Sequence, residues 1–364
     1  MKSFLGSPGV VPTVTVIVPA FNEAAILADT LHTLIDYLEA QRAAFTGQIL
    51  VVNDGSTDGT GAIAEEVAAE HPIVRVIHHR TNFRLGQALR FAFNQCDTDY
   101  LVTVDSDLSY DAEHIGRLVE HIHRTRAKIV LASPYAEGGV IGHVPPIRKW
   151  LSRWANRYLS VGAKGELSTL TGMVRAYDRR FLQSLDLSST GIDINTEIIY
   201  KARILSARIE EIPATLSWTT IDRRSSSFSI GHGIKTYILS GFLFRPLLSL
   251  LLPAFFFFGV AVLMTGLLVQ RSLSSGESLI HSFNNWPGAV LVGAVSLLLS
   301  LQFVTLALLA WQAKRNFENL FHIATTNLRA TQELRRELTA QRDTDRGESD
   351  TTITLGGGGP PSSG

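Results

Sequence analysis

The sequence predicts a doubly wound α/β domain with a mostly parallel sheet, followed by two transmembrane helices. Over residues 1–230, apolar β-branched runs alternate with helical stretches, and polar clusters directly follow three of these runs. Two later stretches carry no charged residue. The chain has 364 residues, 45% of them hydrophobic, which allows two domains or one large domain with an appendage. Its net charge of zero indicates no nucleic-acid partner.

The predicted strands and helices follow one another in regular order. Residues 14–18 form the continuous run Val-Thr-Val-Ile-Val, as expected for a strand covered on both faces. The stretch 23–44 repeats apolar residues at helical spacing. Strands are predicted at 14–18, 49–52, 75–77, 100–104 and 128–131, and helices at 23–44, 59–71, 85–95 and 112–126.

Three polar clusters, at residues 19–23, 53–60 and 105–107, each directly follow an apolar strand. Ligands of such sheets bind beyond the carboxyl ends of the strands, which meet at one edge. We therefore expect the three clusters to form one shared site.

The cluster Asp105-Ser106-Asp107 is the predicted metal centre. Mg²⁺ is commonly held by one or two protein carboxylates, with substrate phosphates and water completing its shell. The alternative is a polar loop with solvated acids. The apolar strand before it and the two companion clusters favour the metal.

The cluster at residues 53–60 has glycines that permit tight turns. Asp54 and Asp58 can accept hydrogen bonds from a base or a ribose. Capping of the next helix by Asp58 or Thr57 is the structural alternative. His78 and His79, at the end of another strand, are interpreted as structural or solvated.

In the cluster at residues 19–23, Phe21 could contact a base and Glu23 could accept a hydrogen bond from one. The alternative is a helix start capped by Asn22, with Glu23 beside the positive end of the helix dipole.

Residues 147–161 predict a basic amphipathic helix with tryptophans at its boundary, a pattern typical of a membrane interface. The alternative is a helix packed on its own domain. Transmembrane helices are predicted at 246–269 and 288–312, within a segment 231–313. Basic residues flank the pair of spans, which predicts a cytoplasmic location for both ends.

A cytoplasmic helix is predicted at 314–346, which could pair with a second copy of the chain or lie on the catalytic domain. A disordered tail is predicted at 347–364. A homo-oligomer is therefore a possible assembly.

The strings V-I-V-P-A-F-N-E, V-V-N-D-G-S-T-D-G-T and V-D-S-D-L, in that order, resemble the family 2 glycosyltransferases of the GT-A fold. The resemblance covers roughly residues 12–230. With two C-terminal spans, the chain is similar to the polyprenyl-phosphate mannosyl- and glucosyltransferases. This implies transfer of a sugar from a UDP- or GDP-type donor to a polyprenyl phosphate, at the cytoplasmic face of a cell inner membrane or an ER-type membrane.

The resemblance also assigns the donor site. Asp105 would contact the nucleotide and, with Asp107, would hold Mg²⁺ or Mn²⁺ on the diphosphate. Many relatives carry Gln where Ser109 stands, so a third protein ligand is not expected. The base pocket would be lined by Pro19, Phe21, Glu23 and Asp54.

For the acceptor and the sugar, the resemblance implies that Arg148 and Ser152 contact the lipid phosphate. Gly172 and Arg175 would lie near the sugar. Arg224 would close over the diphosphate, although Ser227 replaces the glycine usual in that loop.

The acceptor is a phosphate monoester with a second pKa of roughly 6, so it needs little help from a general base. The enzyme then has to position the two substrates and to stabilise the charge that develops during transfer. We expect in-line displacement at the anomeric carbon, with inversion. The catalytic residues are then predicted to be Asp105, Asp107, Arg148 and Arg224. Glu197 is a candidate for sugar-hydroxyl contacts, and a solvated helix face is its alternative.

Two rival functions are a processive polysaccharide synthase and a non-enzymatic membrane scaffold.

Overall fold

A computed structural model describes residues 11–142, 167–216, 246–276 and 278–354. The strands are β1 (Thr13–Ala20), β2 (Thr46–Asn53), β3 (Val74–His78), β4 (Tyr100–Thr103), β5 (Ile129–Ser133), β6 (Val140–Ile141), β7 (Arg175–Asp178), β8 (Ile209–Pro213) and β9 (Thr215–Leu216). The catalytic-domain helices are α1 (Leu27–Ala40), α2 (Thr60–Glu70), α3 (Leu85–Asn94), α4 (Glu113–Thr125), α5 (Arg179–Gln183) and α6 (Ile194–Ile204).

The main sheet has seven strands in the order β3-β2-β1-β4-β7-β5-β8, and the short strands β6 and β9 pair separately. Strand β7 is antiparallel to both of its neighbours, and the other pairings in the main sheet are parallel. The predicted doubly wound, mostly parallel sheet is therefore confirmed. The insertion of β7 between β4 and β5 was not predicted, because the strand has only four residues.

Helices cover both faces of the main sheet, as the alternation of strands and helices requires. Apolar side chains of α1, α2 and α4 pack on one face, with Val14, Val16 and Val18 of β1. The other face packs against α3, α5 and α6 and includes Ile17 of the same strand. Alternate residues of β1 thus enter different cores, which explains its continuous apolar sequence.

Helix α1 begins at Leu27, four residues later than the predicted start at residue 23. Asn22, directly before the predicted start, has a positive φ of 56°, and residues 24–26 form a turn before the helix. Asn tolerates this left-handed conformation better than most residues do. The backbone amides of residues 22–24 instead donate to side chains within residues 56–60, after β2.

The described residues after 245 form three further helices: α7 (Pro246–Ser275), α8 (Leu279–Asn285) and α9 (Pro287–Thr354). The stretches Leu247–Ser275 and Pro287–Asn327 are long and apolar enough to cross a membrane. They contact each other through the stacked rings of Phe257 and Phe303, whose centroids are 5.9 Å apart. Both predicted spans thus fall on helices of sufficient length.

Helix α9 continues without a break through the predicted cytoplasmic helix at 314–346. It reaches Thr354 and so includes the first eight residues of the segment predicted as disordered. The predicted interface helix at 147–161 and the end of the tail lie outside the described residues.

Candidate active site

The three polar clusters meet at the carboxyl edge of three adjacent strands. Ala20 of β1 is in register with Asn53 of β2, and Ile17 of β1 is in register with Thr103 of β4. Asp105 therefore lies level with Pro19. The chain order reverses between β1 and β4, which is where open α/β sheets form their ligand crevice.

The clusters after β1 and β2 are bonded to each other. The Thr57 amide donates to Asn22 Oδ1 at 2.9 Å, and the Glu23 amide donates to Thr60 Oγ1 at 2.8 Å. Asp58 accepts from the Thr60 amide at 3.1 Å and from the hydroxyl of the same residue. Asp58 thus bonds to the first residue of α2, but the N-cap position is held by Gly59 and not by Asp58 or Thr57. Asn22 fixes the shape of the loop.

Asp54 is buried, and its carboxylate is oriented by two bonds to Oδ1. His79 Nδ1 donates at 2.8 Å and the Phe83 amide at 3.0 Å. No hydrogen bond to Oδ2 is found among the described residues, so this oxygen can accept from a ligand. The sequence interpretation of His79 as a structural residue did not include this contact with Asp54; its position directly after β3, at the same sheet edge, was the available signal.

The remaining residues of the predicted base pocket lie on the loop after β1. Phe21 is 44% exposed, although it is a large aromatic residue beside buried polar groups. Glu23 is partly exposed, and Pro19 lies opposite Val52 at the end of β1. The structure thus brings these three residues and Asp54 to the same edge of the sheet.

The turn that carries Asp105 and Asp107 is held by the neighbouring strand and helix. The Val104 amide donates to the Ile17 carbonyl at 3.1 Å, and Thr30 Oγ1 of α1 donates to the Ser106 carbonyl at 2.6 Å. These bonds keep the two carboxylates at the switch point between β1 and β4.

Burial and the nearby carboxylate of Asp107 raise the pKa of Asp105 to about 7. Among the described residues, no donor bonds to the Asp105 carboxylate. A partly buried carboxylate that has no hydrogen-bond donor and lies beside a second carboxylate does not stabilise the fold, because its negative charge is uncompensated. A divalent cation would supply the missing positive charge, so this pair of carboxylates fits a metal.

A metal at Asp105 and Asp107 would take most of its ligands from groups other than protein carboxylates, such as substrate phosphates. No group of three or more His, Cys, Asp or Glu side chains that could hold a metal occurs in the described ranges. Ser109, which replaces the glutamine of many relatives, donates its amide at 3.0 Å and its hydroxyl to Asp107 Oδ1. This arrangement fits Mg²⁺ or Mn²⁺ carried largely by substrate phosphates.

Arg175 requires a correction. We expected it beside the sugar, but the residue is 0% exposed. Its guanidinium donates to the carbonyls of Gly172, Asn195 and Leu170, at 2.7, 2.8 and 2.7 Å. Arg175 therefore bonds to the loop that contains Gly172 and does not project into the crevice.

Glu197 also departs from both interpretations of the sequence. It is buried; Oε1 accepts from the Ser188 amide at 2.9 Å and Oε2 from the Ser189 amide at 2.8 Å. Lys201 Nζ lies 2.8 Å from Oε1. Although burial alone would raise it, these bonds hold the pKa of Glu197 at about 2. The carboxylate is thus neither solvated nor available to a sugar, and it anchors the loop before α6.

Arg148, Ser152 and Arg224 lie outside the described residues. Their predicted contacts with the lipid phosphate and the diphosphate stay predictions.

Comparison with known proteins identifies relatives of this chain. The model of glycosyl transferase family 2 matches residues 15–186. An undecaprenyl-phosphate mannosyltransferase from Micrococcus luteus is 34% identical over 227 residues, which cover 61% of this chain and 88% of that protein. A polyprenol monophosphomannose synthase from Mycolicibacterium smegmatis is 32% identical over 213 residues, which cover 56% of this chain and 76% of that protein.

Among solved structures, a mannosyltransferase from Pyrobaculum calidifontis in complex with GDP-Man and Mn²⁺ is 16% identical, with a TM-score of 0.44, over 88% of this chain and 87% of that one.

The family match spans β1 to α5, which includes all three clusters at the sheet edge. Together with a relative that is 34% identical over most of its length, this match assigns the fold and the class of enzyme. The chain belongs to glycosyl transferase family 2, and its catalytic domain has the GT-A fold.

Proposed function

We propose that this protein transfers a sugar from a nucleotide-diphosphate sugar to a polyprenyl phosphate, with inversion at the anomeric carbon. The observation that carries the proposal is the row of Asp54, Asp105 and Asp107 along one sheet edge. The names of the curated relatives, which specify undecaprenyl phosphate or polyprenol as acceptor, support the lipid substrate.

The donor nucleotide would lie along this edge. Asp54 Oδ2 is the acceptor for an N–H group of the base, and Phe21 is an exposed aromatic surface against which a base can stack. Asp105 and Asp107 would hold a divalent cation, which when bound neutralises the diphosphate as it leaves. We propose a UDP or GDP donor, with mannose as the first sugar to test because both relatives transfer mannose.

The acceptor phosphate attacks without a dedicated base, because its second proton is largely absent near neutral pH. In this proposal Arg148 and Ser152 present that phosphate, and Arg224 contacts the diphosphate. The apolar stretches of α7 and α9 anchor the enzyme in the membrane that contains the lipid. We propose that the catalytic domain faces the cytoplasm, since nucleotide sugars are cytoplasmic metabolites and the basic flanking residues favour this orientation.

The test uses the full-length protein in lipid nanodiscs with a polyprenyl phosphate, Mg²⁺ or Mn²⁺, and radiolabelled GDP- or UDP-sugars. We expect label in the organic-extractable lipid. Asp107→Asn should reduce this product by about a hundredfold or more. The matched control is Asp36→Asn on the exposed face of α1, which should leave it unchanged.

Each contrary result has a distinct meaning. Label in an insoluble polymer would establish a processive synthase. No transfer from any donor would favour a non-enzymatic scaffold. Unchanged lipid product with Asp107→Asn would remove the metal assignment.

A further inference from the structure

Helix α6 has no exposed face over most of its length. Every residue from Ile194 to Ala202 is buried, including the charged pair of Glu197 and Lys201 and the ring of Tyr200, which is 5% exposed. A helix that only covers a sheet normally leaves one face to solvent. Other parts of the chain therefore cover α6 on the sides that the sheet leaves open.

Lys314 of α9 is one of the groups that cover α6. Its ammonium lies 5.5 Å from the centre of the Tyr200 ring, within the distance of a cation–π contact. Lys314 is half-buried, and it is the first charged residue after the uncharged stretch 287–313. The contact therefore joins the catalytic domain to the end of the second candidate span.

The face of α9 that carries Lys314 also packs within the pair of apolar helices. Positions 293, 300, 307 and 314 recur every seven residues and so share one side of the helix. A Cβ atom on Gly293 would lie 3.3 Å from the Met264 side chain of α7, and both Ser300 and Ala307 are buried. Helix α9 is unbroken over this stretch. The catalytic domain is thus attached to the two spans through one continuous helix.

Helix α6 is in turn bonded to the loop at residues 167–174. Arg175 donates to the Asn195 carbonyl of α6 at 2.8 Å and to two carbonyls of this loop, both at 2.7 Å. At the end of the loop, the Met173 carbonyl accepts from Thr103 of β4. A chain of contacts therefore leads from the second span, through α6, to the strand that precedes the acidic pair.

We propose that the contact between Lys314 and Tyr200 positions the crevice for the lipid acceptor, by fixing the height of the catalytic domain above the membrane. This inference rests on the proposed function and specifies how the enzyme meets a substrate that stays in the membrane. The apolar chain of a polyprenyl phosphate lies in the bilayer and its charged head at the surface, so the attachment of the catalytic domain sets its distance from the crevice. A short prenyl phosphate that is dissolved in water does not need this attachment.

The experiment uses full-length protein in nanodiscs and measures kcat/KM for two acceptors: a long-chain polyprenyl phosphate in the bilayer, and geranyl phosphate added from solution. Lys314→Met and Tyr200→Leu should each lower transfer to the long-chain lipid about fivefold, because the cation–π contact is lost while apolar bulk is kept. Transfer to geranyl phosphate and affinity for the donor nucleotide should stay at the wild-type values. Lys314→Met carries the test if Tyr200→Leu fails to fold.

Conservative and control variants separate this contact from other effects. Lys314→Arg and Tyr200→Phe retain a cation and a ring, so both should keep near wild-type transfer. The double variant Lys314→Met/Tyr200→Leu should be no slower than the slower single variant, because both changes remove the same contact. Arg315→Met is the matched control: its guanidinium lies 5.7 Å from the Trp311 ring of the same helix, and its loss should affect neither acceptor.

An equal fall with both acceptors would mean that the contact supports catalysis in general, and it would overturn the inference. So would unchanged long-chain transfer in Lys314→Met, or an equal fall in Arg315→Met, which would assign the effect to charge at the membrane surface. If the wild type transfers sugar to neither acceptor, the proposed function itself fails, which is a different result from these.

Discussion

At the scale of single residues, the site depends on side chains whose partners come from distant parts of the sequence. Asp54 is oriented by His79 and Phe83, and the Thr30 hydroxyl holds the turn that carries Asp105 and Asp107. The sequence suggests a ligand contact for both Asp54 and Glu197, but the structure gives their carboxylates different partners. Within the described residues Asp54 accepts hydrogen bonds only at Oδ1, whereas both oxygens of Glu197 accept bonds from the protein.

Replacement of His79 by alanine should weaken nucleotide binding about tenfold, because one of the two bonds that orient Asp54 is lost. His121→Ala is the control, since His121 pairs with Glu210 of β8, at the other side of the sheet. Affinity for UDP and GDP is the measurement, and equal values for the two variants would contradict the role of His79.

Glu197→Gln should destabilise the catalytic domain by about 2–3 kcal/mol at neutral pH. The folded-state pKa of Glu197, about 2, is below its ordinary value of 4.5. Its stabilisation is therefore present above about pH 4.5 and is lost as the pH falls toward 2. The difference between the melting temperatures of wild type and variant, measured from pH 7 to pH 3, should shrink steadily below about pH 4.5. A difference that is constant with pH would refute the assignment.

At the scale of elements, the loop at residues 167–174 leads into β7 and is bonded both to the sheet and, through Arg175, to α6. Glu211 of β8 accepts from the Ser168 and Thr169 amides, and Thr103 of β4 donates to the Met173 carbonyl. Arg175, the first residue of β7, bonds the same loop to α6. The short antiparallel strand therefore places this loop beside β4, where Met173 bonds to Thr103, two residues before Asp105.

Arg175→Lys should reduce the transfer rate about tenfold or more while nucleotide affinity stays near the wild-type value. Lysine retains the charge but cannot donate to three carbonyls in the planar geometry of a guanidinium, so the Gly172 loop should shift. Arg179→Lys is the control, because Arg179 bonds to Thr98 before β4. An equal fall in affinity and rate would mean general unfolding.

At the scale of the whole molecule, a catalytic domain with two cores is followed by helices whose apolar surfaces are largely exposed. Exposed side chains on the spans include Leu252, Phe255, Leu298 and Leu301. Such exposure is expected of helices that contact lipid, and both helices contain stretches long and apolar enough to cross a membrane.

The orientation of the two spans can be tested by cysteine labelling, because the only native cysteine, Cys96, is buried. In intact cells, a membrane-impermeant maleimide should label Ser278→Cys, between the spans, but not Glu66→Cys on exposed α2. Permeabilisation should make Glu66→Cys reactive. The reverse pattern in intact cells would place the catalytic domain outside.

The sequence by itself determined the alternation of strands and helices, the two apolar helices and the three clusters that share one sheet edge. These features depend on local periodicity and on chain order, which are visible along one dimension. It also determined the family, because the Asn-Asp-Gly-Ser-Thr-Asp string and the Asp pair are contiguous.

Only the tertiary structure decided which polar residues face the crevice. Arg175 and Glu197 are buried against backbone groups about 3 to 20 residues away in sequence, and His79 is placed on Asp54 across 25 residues. A polar side chain becomes a ligand contact or a structural one according to the partners that folding brings to it, and those partners are set by three-dimensional packing.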